Sequence, residues 1–133
     1  MKVYIDANIF LYPLLKDDSK ADRFKEIIFG IVTKKFDGIT SVLTWDEIVF
    51  ITRKFLGRKI SIIEGAKFLR VPNLVFIDTT KNIIREAQRL IEIYNLKPRD
   101  AIHIATALSQ NCAEIISDDL DFDVVKEIKR IAP

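Results

Sequence analysis

The chain has little sulfur and little imidazole: one cysteine, one methionine and one histidine in 133 residues. A lone thiol, Cys112, excludes an internal disulfide and fits a reducing compartment, so a cytoplasmic protein is expected. One histidine and one cysteine fall short of a structural zinc site, which takes four nitrogen or sulfur donors. The glycines Gly30, Gly38, Gly57 and Gly65 are too widely spaced for a phosphate-cradling loop. No apolar run approaches the roughly 18 residues that cross a bilayer. Asp6 and Asn8 interrupt MKVYIDANIF where a secretory signal would be apolar. A formal charge of +2 says little by itself about a polyanionic partner.

What is present suits a folded protein: 49% hydrophobic and 30% charged residues, in a length that fits one domain over residues 1–133. Val3-Tyr4-Ile5, Gly38-Ile39-Thr40, Leu74 to Ile77 and Glu114-Ile115-Ile116 are short apolar runs, the pattern of strands buried on both faces of a parallel sheet. Between them lie helical stripes, one of Ala21, Phe24, Ile28, Ile31 and Val32 and another of Ile83, Ala87, Leu90, Ile91 and Tyr94. Leu43 to Leu56 and Ile60 to Leu69 also read as helices, and Pro98 opens a last one, apolar on nearly every side, over Ala101 to Gln110. Strands alternating with helices predict a three-layer α/β domain around a parallel sheet.

The acids carry the chemistry that can be read here. Asp6 closes the first strand, and in open parallel sheets ligands bind at the carboxyl ends of strands. Asp119 follows the last core strand, where Asp118, Asp119 and Asp121 concentrate negative charge that a divalent cation would neutralise. Asp100 lies in the first turn of an otherwise apolar helix, where a half-buried anion would want a cation partner. Each has an ordinary explanation as a cap or turn residue, and Glu47 has the best one: Thr44-Trp45-Asp46-Glu47 matches a capping box. Asp17, Asp18 and Asp78 read as helix caps. His103 reads as a packed or capping histidine outside any metal site. Lys34-Lys35, Arg53-Lys54, Arg58-Lys59 and Lys97 with Arg99 could form a basic rim for phosphates or an ordinary solvated surface.

Four of these acids, each in its own surrounding words, resemble the PIN-domain nucleases, especially the VapC-type toxins. The resemblance rests on Asp6-Ala7-Asn8 after a strand and on Glu47 early in a middle helix. It continues in Asp100-Ala101-Ile102-His103-Ile104-Ala105-Thr106-Ala107 and ends in Ser117-Asp118-Asp119-Leu120-Asp121-Phe122. It runs from Met1 to about Val125. It implies a mostly parallel central sheet with helices on both faces and with the first and fourth strands adjacent. It also implies a ribonuclease whose Mg²⁺ or Mn²⁺ is held by Asp6, Asp100, Asp119 and Glu47, with Asn8 orienting Asp6 and Asp118 as an alternative fourth acid. RNA as substrate, an antitoxin partner and a homodimer follow from the same likeness. The rival readings are a non-catalytic RNA-binding or interaction domain of this fold and a haloacid-dehalogenase-like phosphatase, which needs a second Asp where this chain has Asn8.

Overall fold

Along Lys2–Ile5, the first strand (β1), Val3 and Ile5 join one apolar cluster and Tyr4 the other, because successive side chains of a strand point to opposite faces. All three are buried, so both faces of β1 are covered. The computed structural model describes residues 2–133; Met1, where the family likeness begins, lies outside the described residues. The remaining strands are Asp37–Ser41 (β2), Leu74–Ile77 (β3), Glu114–Ile116 (β4) and Lys129–Ile131 (β5). They form one sheet in the order β3-β2-β1-β4-β5, and every pairing is parallel, not merely most of them. The edge strand β5 escapes a reading based on apolar runs, since Lys129-Arg130-Ile131 offers none and its strand state comes from pairing with β4.

The helices are Ala7–Leu15 (α1), Ser19–Val32 (α2), Leu43–Leu56 (α3), Arg58–Leu69 (α4), Lys81–Ile93 (α5) and Pro98–Ser109 (α6). Tyr4, Ile39 and Ile115 pack with Ile83, Ala87 and Leu90 of α5 and with Ala101, Ile104 and Ala105 of α6. Val3, Ile5, Leu74 and Ile116 pack with Ile9 and Phe10 of α1, Phe24 and Ile31 of α2, Ile48 of α3 and Phe68 of α4. Helices therefore cover both faces of the sheet, as expected. No helix among the described residues is long and apolar enough to cross a membrane.

Three expectations about helix starts change. Thr44 and Glu47 form no capping box: α3 begins at Leu43 without a side-chain cap, and Thr44 Oγ1 is instead 2.7 Å from Thr40 Oγ1. Thr80, not Asp78, caps α5 by accepting from the Ile83 N–H. Of Asp17 and Asp18, it is Asp18 that caps α2, accepting from the Ala21 N–H at 2.8 Å. The first helix, α1, contains Pro13, which would ordinarily mark a helix end.

The contact of α2 with β2 leaves no room for a side chain at Gly38, where a Cβ would stand 2.9 Å from Ile31 Cγ1. Gly38→Ala is expected to destabilise the fold by about 1–3 kcal/mol, the usual range for overpacking. Urea unfolding checks this as a lower midpoint at unchanged slope; an unchanged midpoint would show that α2 shifts freely.

Candidate functional site

Because β1 lies between β2 and β4, the chain leaves it in one direction for β2 and β3 and returns on its other side as β4. The carboxyl ends of β1 and β4 thus border the switch point, where open α/β sheets bind ligands. The register pairs Ile5 with Ile116, so the residues that follow, Asp6 and Ser117, come together. Ser117 Oγ donates to Asp6 Oδ2 at 2.6 Å, and the Ala7 N–H donates to Asp6 Oδ1 at 2.8 Å. Ser117 Oγ in turn accepts from Asn8 Nδ2 at 3.2 Å and from the Asp119 N–H at 3.0 Å. Asn8 therefore acts on Asp6 through Ser117 rather than directly.

Glu47 reaches the same place from α3, and its partner is His103 on α6, whose Nε2 lies 2.5 Å from Glu47 Oε1 and 4.0 Å from Asp6 Oδ1. The other ring nitrogen, Nδ1, lies 2.5 Å from Tyr4 Oη. His103 is a packed histidine as expected, 1% exposed, but it stands inside the acidic cluster rather than apart from it. Asp6, Glu47 and His103 bring one ligand atom each to within 4.8 Å of one another, and Asp100, Asp119 and Asp121 do the same. The expected four acids thus fall into two adjoining groups, each with a further member, His103 in one and Asp121 in the other.

Asp118 and Asp119 part company. Asp118 turns to Lys20 of α2, with 2.6 Å between Oδ2 and Nζ. Asp119 faces Asp100, while its Oδ1 also caps the short 3-10 helix Leu120–Val124 by accepting from the Asp121 N–H at 2.9 Å. The cap explanation for Asp119 and its place in the cluster are both true of the geometry. Asp46 lies outward, 3.3 Å from Arg99 Nη2.

Burial pushes the Asp6 carboxyl above the usual carboxylate range, with His103 and Ser117 opposing it. Asp100 is pushed up to about 6, first by burial and then by the charges of Asp119 and Asp6. For His103, burial works against the charged ring, but Glu47, Asp6 and Asp100 outweigh it and hold the pKa above its ordinary value. A cleft of about 620 Å³ opens beside these groups, lined by Glu47, Asp100 and Asp119, by Lys97 and Arg99, and by an apolar wall that includes Leu11 and Phe50. Of the four basic pairs, only Lys97 with Arg99 reaches this cleft. Trp45 is not part of its lining; its indole Nε1 lies 3.1 Å from where a Cβ on Gly65 of α4 would stand.

A family model described as the PIN domain matches residues 3–128. No curated protein matches the chain in sequence. Among solved structures, the chain is similar to VapBC2 from Rickettsia felis bound to a DNA fragment from its promoter, at 14% identity and a TM-score of 0.76, over 99% of this chain and 98% of that one. It is similar to a toxin–antitoxin complex from Klebsiella pneumoniae at 22% identity and a TM-score of 0.66, over 95% and 94% of the two chains. VapC20 from Mycobacterium tuberculosis, described as a sarcin–ricin loop cleaving toxin, gives 14% identity and a TM-score of 0.74 over 92% and 93%. At these identities the likeness shows a shared fold.

The raised carboxyls give a pH dependence of stability. An acid whose pKa is higher folded than unfolded binds more protons in the native state between the two values, so its contribution falls as pH rises through that window. For Asp100 the window runs from the usual range near 4 to about 6. In EDTA, Asp100→Asn should gain melting temperature relative to the parent as pH is raised from roughly 4 to 7. Mn²⁺ should stabilise the parent more at the upper end of that range. Parallel melting curves for parent and variant across the window would show that Asp100 is an ordinary solvated acid.

Proposed function

The chain belongs to the PIN-domain family, and on that premise we propose that it is a metal-dependent endoribonuclease, the toxin of a toxin–antitoxin pair. The observation that carries this reading is the convergence of Asp6, Glu47, Asp100 and Asp119 at the carboxyl ends of β1 and β4. They come from the end of β1, from α3, from α6 and from the turn after β4.

The donor set fits a hard divalent cation. Carboxylate oxygens dominate it, and Asp100 is pushed up by burial and then by neighbouring charges of its own sign, both of which a cation would offset. Asp6 and Asp100 would hold Mg²⁺ or Mn²⁺ directly, with Asp119 and Glu47 completing the site through bound water. Such an ion supplies a water of lowered pKa and offsets charge on a phosphodiester. Asn8 and Ser117 keep the Asp6 carboxylate in one orientation. The Ser117 hydroxyl is engaged with Asp6, Asn8 and the Asp119 N–H, so it is not free to attack phosphorus.

The substrate is assigned as single-stranded RNA. Lys97 and Arg99 bring positive charge to the rim, and Phe50, half exposed on the wall, offers a ring to an unpaired base. An antitoxin and a second copy of the chain are the proposed partners. The fold likeness to toxin–antitoxin complexes supports this, as do exposed apolar side chains on α3 and α4 such as Phe55, Ile62 and Ile63. A phosphatase would need a carboxylate two residues after Asp6, where Asn8 serves Ser117 instead.

The isolated protein should cleave single-stranded RNA with Mg²⁺ or Mn²⁺ and stop in EDTA. Asp6→Asn and Asp100→Asn should each lower kcat by at least about 100-fold, more than the loss of an outer partner costs, while melting cooperatively. Cleavage that survives EDTA would remove the metal from the reading. RNA binding without cleavage by the parent protein would leave a binding domain of the same fold.

A further inference from the structure

Glu47 has a long, flexible side chain and no capping bond to its own helix, yet it lines the cleft in a defined position. The group that restrains it is the imidazole of His103, which comes from another helix and is itself gripped from behind. The Ser41 N–H donates to Tyr4 Oη at 3.1 Å, and His103 Nδ1 lies 2.5 Å from the same oxygen, so against a neutral ring the phenol's own hydrogen is available to Nδ1. Nε2 must then carry the hydrogen that meets Glu47 Oε1 at 2.5 Å. A charged ring keeps this Nε2–H and turns Nδ1 into a donor to the phenol oxygen. The one form that Tyr4 disfavours is the Nδ1–H tautomer, which would set a lone pair of Nε2 against the carboxylate. Among the described residues no hydrogen bond is made to Glu47 Oε2, so one oxygen is anchored and the other is left to the cleft.

We propose that His103 is a positioning residue for Glu47, and that Tyr4 and the Ser41 backbone set its tautomer for that task. The inference rests on the ribonuclease reading for its kinetic consequence, but not for the pairing itself. A histidine that merely fills the core would need volume and any two partners. Here the chain of bonds runs without a gap from the inner strand β1, through a side chain 1% exposed, to an acid on the cleft wall. Outer partners that orient a ligand in this way typically contribute 10- to 100-fold to metal affinity or turnover.

Two variants separate positioning from packing. His103→Leu keeps the apolar volume and removes the donor, whereas His103→Gln returns an N–H near the place of Nε2. With Mn²⁺ and single-stranded RNA, His103→Leu should lose about 10- to 100-fold in kcat with KM within about twofold, and His103→Gln should recover most of the loss. Mn²⁺ affinity, read by electron paramagnetic resonance, should follow the same order. The chain's only histidine makes long-range proton–nitrogen spectra unambiguous. They should show a protonated Nε2 in the parent protein and a changed Nε2 signal in Glu47→Gln. A folded His103→Leu variant as active as the parent would overturn the proposal, as would a folded His103→Gln variant no better than leucine, or an Nδ1–H tautomer in the parent. Should the parent not cleave RNA, the ribonuclease reading fails, and the spectra and Mn²⁺ titrations still decide this one. Weaker Mn²⁺ binding by the leucine variant alone upholds it, and equal affinities overturn it.

Discussion

A carboxylate at the end of an inner strand, walled in by helices on both faces of the sheet, costs free energy unless donors meet it, and Asp6 stands in that position at 6% exposure. Its donors come from two places, the first turn of α1 and Ser117 at the end of β4. The second depends on long-range register. The Asp6 N–H bonds to the Ile116 carbonyl at 3.1 Å, and a slip of one residue would turn Ser117 to the opposite face of the sheet. The parallel pairing of β1 with β4 is therefore a condition for giving the buried Asp6 carboxyl a donor. The same hydroxyl, by accepting from Asn8 and from the Asp119 N–H, ties the turn after β4 to the start of α1.

That dependence explains what could be read from the residues alone. Four of the five strands were legible from their apolar runs, which burial on both faces demands of the inner three, and β1 meets that demand with Val3, Tyr4 and Ile5. Asp6 was legible because a strand end in such a sheet faces a crevice. β5 was not, since an edge strand needs only one partner and no apolar run. His103 was passed over for a physical reason. A single histidine falls short of a zinc site, and its real partners, Tyr4 and Glu47, are 99 and 56 residues away in sequence. The capping-box motif around Glu47 failed in the same way: a tertiary bond to His103 took the carboxylate that a local motif would have used. A buried tyrosine at the centre of β1, whose hydroxyl must find a partner, was the one available signal of that network.

The choice between Asp118 and Asp119 shows what tertiary structure adds to a motif. Both follow Ser117, and side chains of adjacent residues diverge, so only one could turn toward Asp100. Lys20, on a helix that no local pattern connects to this turn, takes Asp118.

The distribution of positive charge follows a related rule. Lys20, Arg99 and Arg130 all lie near the acidic cluster, and each is paired with an acid outside the two groups, with Asp118, Asp46 and Asp123 respectively. Among the described residues, no hydrogen bond is made to the carboxylate of Asp100, in contrast to Asp6 and Glu47. The protein thus meets Asp6 and Glu47 with its own donors and leaves Asp100, on the same cleft wall as Glu47, short of any. Had Arg99 turned inward to Asp100, the folded state would have gained an ion pair and lost the negative field at the cleft. Arg99 instead stays 3.3 Å from Asp46, with its guanidinium over the Phe50 ring, so the unbalanced charge remains where a soluble cation can reach it. Holding an acid unpartnered in this way costs stability, and it concentrates attraction for a cation at one point between α3, α6 and the turn after β4.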